Sequence, residues 1–167
     1  MDDTLIPRLR AETDGLRATR PAVEAGAPWP LATTFDNSDE AHWGPPEVLA
    51  HLSEMATYWT GEIERVLAGA AEPVPVGRNA TDPIRLGSIE RDRTLPAREL
   101  YDRTTSGLER LERRLTELTP ADLARRGLHP RLGEMTVAQM AERFVASHLA
   151  EHVVQLESLL GGPSPAS

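Results

Sequence analysis

The chain has no cysteine among its 167 residues. Disulfides, thiolate metal sites and cysteine nucleophiles are thereby excluded, and any metal must be held by nitrogen and oxygen. Aromatic residues are few: two Phe, two Tyr and three Trp, so aliphatic side chains have to fill most of a core. No apolar run approaches the roughly 18 residues that a membrane-spanning helix requires. The start, MDDTLIPRLRAET, lacks a basic segment followed by an apolar one and is not read as a signal peptide. A net charge of −8 speaks against nucleic acid as a partner, because phosphate neutralisation takes clustered basic residues. The basic residues are arginines, mostly alternating with acids, which is the pattern of a solvated surface. These absences lead to the expectation of a soluble, cytoplasmic protein.

What is present is ordinary for a folded chain, 40% hydrophobic and 26% charged. The length fits one domain that buries about two thirds of the surface its unfolded chain would expose. That domain is expected to span residues 1–160, with GGPSPAS at 161–167 as a disordered, frayed tail. Four helical segments are predicted, with no strand pattern between them. The first, about Asp3 to Thr19, repeats Leu5, Leu9 and Leu16, and Pro21 is expected to block its continuation. The second opens at WGPPEVLAHL, where Pro45 and Pro46 suit a first turn and Glu47 its positive end. It runs to about Leu67, with an inward stripe of Val48, His51, Leu52, Met55, Tyr58 or Trp59, Glu62 and Val66.

The third segment follows Pro96 and runs to about Leu118. Its Tyr101, Thr104, Leu108, Leu111, Leu115 and Leu118 have the three-and-four spacing of a bundle seam. The fourth is capped by Thr136 and ends before Gly161-Gly162, with a stripe of Val137, Met140, Phe144, His148, His152, Gln155 and Leu159. The connections Thr19 to Gly44 and Gly69 to Leu95 are too long for tight hairpins. An all-α four-helix bundle with at least one long crossover accommodates them. TPADLARRG, Thr119 to Gly127, reads as one extra short helix before a turn at His129-Pro130.

Two of the five histidines, His148 and His152, stand one helical turn apart on an apolar stripe. Their ring nitrogens can reach one divalent ion. His51 is the third candidate ligand, because it lies on the inward stripe of the second helix between Val48 and Met55. It comes early in its helix, whereas the pair comes late in theirs, so the three meet only if the second and fourth helices run antiparallel. Three buried neutral imidazoles without a cation would leave several polar nitrogens to satisfy, and one ion answers three of them. HLAEH is not a zincin motif: Leu149 stands where HExxH has its base, and Glu151 reads as a solvated residue or one that acts through another ligand. Glu62 is too far along its stripe to ligate. Gln155 fits either orienting a ligand or a polar place at the bundle edge, and Tyr58 either the pocket wall or simple packing. His42 and His129 fall outside the helices and are not taken as ligands; packing of Trp43 and shaping of a turn are expected there instead.

The Trp followed by PPEVLAHL, the long loop, and DLARRGLHPRLGEMTVAQMAERFVASHLAEHVVQL resemble the DinB-like superfamily, which includes YfiT-type proteins. The resemblance runs from Leu5 to Leu160 and is strongest in the last forty residues. It implies a bundle of up-down-down-up connectivity with zinc or nickel on His51, His148 and His152, and a homodimer. It also implies transfer or isomerisation with a low-molecular-weight thiol such as mycothiol or bacillithiol, or metal-dependent hydrolysis. One departure is visible, since many relatives carry an acid where this chain has Leu149.

Three functions follow for a small-molecule substrate. The first is an S-transferase in which a metal activates a thiol cofactor towards a small electrophile. The second is a metal-dependent hydrolase, although no separate base or proton donor is evident beside the triad. The third is a non-catalytic dimeric bundle that binds metal or ligand, favoured if protein groups fill every coordination position.

Overall fold

The computed structural model describes residues 4–33, 35 and 40–161. Helix α1 (Leu5–Ala25) buries Leu5, Leu9, Leu16 and Val23. It does not stop at Pro21 as predicted. Pro21 lies on the exposed face, so the carbonyl that loses its partner there faces water. Beyond it, Val23 is fully buried and its carbonyl accepts from the Trp29 indole N–H at 2.8 Å, which holds the last turn.

Helix α2 (Pro45–Ala68) begins with two prolines, whose missing N–H groups would have had no helical partner. The fully buried Glu47 carboxylate accepts from the N–H of Gly44 at 3.2 Å and of Ala32 at 2.9 Å, and pairs with Arg93 at 3.0 Å. One first-turn acid thus ties the preceding crossover to the helix.

The connection after α2 holds more structure than predicted. It contains the two-residue strand β1 (Val74–Pro75) and helix α3 (Pro83–Asp92), whose cap Asp82 accepts from the Arg85 N–H at 2.9 Å. Helices α4 (Ala97–Thr116) and α5 (Pro120–Leu123) follow, the latter with a Thr119–Asp122 capping box. Strands β2 (Arg126–His129) and β3 (Gly133–Thr136) form an antiparallel hairpin, and β1 lies parallel to β2, giving a three-stranded sheet in the order β1-β2-β3. Strands of two to four residues are too short to print an alternation on the sequence, which is why none was expected.

The last helix is one continuous rod in three parts: α6 (Val137–Ala141), a π-helical stretch over Glu142–Ser147, and α7 (His148–Gly161). Of the tail expected at 161–167, Gly161 is the last residue of α7, and 162–167 lie outside the described residues. The wide π turn shifts the register that a constant 3.6-residue period assigns. Val145, Leu149, Val153 and Leu156 take the core face, Phe144, His148 and Gln155 are half-buried, and Leu159 is exposed rather than inward.

The protein is mostly helical around one aliphatic core, as its all-α reading requires. Helix α4 packs on both α1 and α2, and the last helix packs on the same two from the other side. Contacts between α2 and the last helix run in opposite order along the chain: His51 meets His148 and His152, whereas Trp59 stacks on Phe144. Between α1 and α4 the order also reverses, Arg10 meeting Glu112 and Thr19 meeting Tyr101. Between α2 and α4 it does not, since the Thr104 hydroxyl reaches the Leu49 carbonyl and Arg114 reaches Glu64. No helix among the described residues is long and apolar enough to cross a membrane.

Candidate metal centre

The opposed senses of α2 and the last helix bring three imidazoles together. His51 Nε2 stands 2.8 Å from His148 Nε2, which stands 3.2 Å from His152 Nε2. Bare lone pairs at such distances repel, so a proton or a cation has to sit among them. A fourth donor joins them that the sequence did not disclose. Glu40 opens a single 3-10 turn (Glu40–His42) ahead of α2, and its Oε2 lies 3.5 Å from His152 Nε2 and 4.0 Å from His148 Nε2. One ligand atom from each of Glu40, His51, His148 and His152 falls within 4.8 Å of all the others, a group that could hold a metal ion. Three nitrogens and one oxygen form a donor set suited to zinc or nickel.

The far sides of these groups are held as well. The Gln155 amide N–H₂ donates to the carbonyls of Glu40 at 2.8 Å and Trp43 at 3.3 Å. Its oxygen is therefore free to accept from His152 Nδ1 at 2.8 Å, which leaves the His152 Nε2 lone pair facing the centre. Glu151 Oε2 lies 3.5 Å from His148 Nδ1, an exposed acid too distant to fix that ring and no part of the cluster. Arg85, buried, binds the other carboxylate oxygen of Glu40, and its Nη2 lies 3.4 Å from His51 Nδ1, too long to fix the tautomer. Trp43, buried, presents an edge to His51 at 5.5 Å between centroids and stacks on Phe35, the packing role expected of it.

Burial, and then repulsion from the neighbouring rings, holds His51 well below its ordinary pKa of 6.5. His148 is lowered by burial and by His152, against the opposing pull of Glu40 and Glu151. Both are thus neutral at physiological pH, the state in which imidazole ligates. For Glu40 burial works upward, but the bond with His152 and the charge of Arg85 prevail and hold its carboxyl below 4.5.

The cluster forms one wall of a cavity of about 300 Å³, which Glu40, His51 and His148 line together with Tyr58, Trp59 and Phe144. Tyr58 is thus part of the wall, with the Arg78 guanidinium 3.7 Å above its ring. Glu54, one turn after His51, also lines it; one carboxylate oxygen pairs with Arg78 and the other is buried without a partner. Glu62 serves the fold instead, accepting from the Gly77 N–H at 2.7 Å and pairing with Arg65. His129 closes its own hairpin, Nδ1 accepting from the N–H groups of Arg131 at 3.2 Å and Leu132 at 3.3 Å. Neither His129 nor His42 contributes to the four-donor group.

A model of the DinB superfamily matches residues 1–156. The chain belongs to the DinB superfamily. No curated protein matches it. Leu149, directly after His148, is fully buried in the core of this DinB superfamily chain. The acid that meets the histidines here is Glu40, supplied from the crossover.

Proposed function

We propose that this chain is a divalent-metal-dependent S-transferase that uses a low-molecular-weight thiol, mycothiol or bacillithiol in type, to modify a small electrophile. In this reading zinc or nickel is held by His51, His148 and His152, with Glu40 as a fourth, exchangeable donor. The observation that carries it is the convergence of four donors, three of them on the wall of a cavity large enough for a small molecule. A bound divalent ion would lower the pKa of a thiol, supplying a nucleophile that a chain without cysteine cannot.

The chain's own residues divide the remaining work. Gln155 orients the ring of His152, Arg85 holds Glu40 by the oxygen that faces away, and Trp59 and Phe144 present an apolar wall. The order of helix contacts supports an up-down-down-up four-helix bundle, with α1 and the last helix opposed to α2 and α4. A cytoplasmic homodimer belongs to the same reading.

The non-catalytic alternative is favoured by one observation: Glu40 brings the protein donors to four, which would close a tetrahedral site. Two measurements separate the readings. Elemental analysis of the purified protein should find about one equivalent of zinc or nickel. The loaded protein, given 1-chloro-2,4-dinitrobenzene, should then consume one thiol from a panel faster than the uncatalysed rate. Metal without turnover of any thiol would leave the binding bundle; ester cleavage without thiol would identify the hydrolase.

A further inference from the structure

All 18 basic residues of the chain are arginines. Four of them line the cavity beside the histidines: Arg78, Arg85, Arg131 and Arg143. The first two are neutralised, Arg78 by Glu54 and Arg85 by Glu40. Arg131 and Arg143 have no acidic partner among the described residues, and both are exposed at the cavity mouth.

Their backbones are fixed by one aromatic stack. The Arg131 N–H is held by His129 Nδ1 at 3.2 Å. Arg143 precedes Phe144, whose ring stacks on His129 at 5.2 Å and on Trp59 at 4.1 Å between centroids. Arg131, Arg143 and His129 line the same cavity, and burial, then the charges of the two arginines, lower the pKa of His129. Two uncompensated like charges beside an apolar wall form a site that an anion relieves, and the planar guanidinium suits a carboxylate.

We propose that Arg131 and Arg143 form an anion subsite at the mouth of the histidine-lined cavity, which selects a small molecule carrying a carboxylate at one end of an apolar body. The assignment of that molecule's other end to the histidine cluster rests on the proposed metal-dependent function. Arg143 and His148 lie on one helical rod, five residues apart along its π-helical stretch. The stacked Trp59 and Phe144 cover that interval, so the ligand has an apolar segment a few bonds long between its carboxylate and its reactive atom.

The test uses phenylacetate as the probe and titration calorimetry as the readout, on metal-free and zinc-loaded full-length protein. Phenylacetate should bind both forms, phenylacetamide neither, and the double variant Arg131→Gln/Arg143→Gln should raise the Kd about tenfold with its helical circular dichroism intact. The Arg131→Lys/Arg143→Lys variant, which keeps the charge, should recover affinity to within about threefold of the wild type. An unchanged Kd in the glutamine variant would overturn the proposal. So would binding that requires zinc and ignores the variant, since the carboxylate would then sit on the ion. Inorganic phosphate binding more tightly than phenylacetate would overturn the carboxylate assignment in favour of a simple oxyanion site. Failure of the metal reading is separately visible as protein that takes up no zinc by elemental analysis yet still binds phenylacetate.

Discussion

His51 carries the strongest commitment in the chain: a buried imidazole, kept neutral by that burial, with its Nε2 2.8 Å from a second ring. Replacing it by alanine removes a donor that no neighbour can supply. His51→Ala and His152→Ala are each expected to lower bound metal from about one equivalent to below about 0.2 by elemental analysis, with far-ultraviolet circular dichroism still helical. Glu40→Gln leaves three imidazoles and should weaken metal affinity about tenfold without abolishing it. The three histidines were legible because His148 and His152 are one turn apart and His51 falls on an apolar stripe. Glu40 was not, because nothing periodic marks it. Its place is set by a short turn, by Arg85 on one oxygen and by Gln155 on its carbonyl, contacts that distant parts of the chain provide.

Among elements, the long helices announced themselves through their stripes and caps, and Thr136 caps the last one where expected. Pro21 misled because a proline on a solvent-facing turn costs a helix less than one facing the core. The small sheet and the π turn left no signature, since each involves too few residues for a period. The sheet nevertheless shapes the cavity, for β2 ends in His129 and the chain leaving β1 passes under that ring. Gly77 makes this possible: its φ is +84°, and a Cβ there would lie 2.4 Å from His129 Cδ2. Gly77→Ala therefore combines backbone strain with a collision against an anchored ring. It is expected to destabilise the protein by about 2 kcal/mol or more in urea unfolding, and to perturb binding in the cavity while the cluster itself keeps its metal.

At the scale of the whole molecule, the site and the fold are thermodynamically linked. An ion that binds only the folded chain stabilises it by about 2.7 kcal/mol at a hundredfold excess over its Kd, or roughly 5–10 °C in Tm for a domain of this size. Adding zinc to metal-free protein should produce that rise in a thermal melt, and His51→Ala should eliminate it. The dependence on acid has a definite sign. His51 and His148 titrate below 6.5 when folded, so the unfolded chain binds more protons under that pH, and stability falls as pH drops from about 6.5. Glu40, lowered from 4.5, acts in the same direction further down. Metal-free protein should therefore melt several degrees lower at pH 5 than at pH 7.5, and the gain from zinc should shrink as protons compete for the rings.

The four donors come from three stretches of chain, the crossover before α2, α2 itself and the final helix. A cation among them is a clasp that fastens the short segment at Glu40–His42 to the final helix, closing a loop from Glu40 to His152 that takes in most of the chain. Unfastened, that segment would slacken while the aliphatic interior held, and a protease would find its first cut beside Glu40 rather than within a helix.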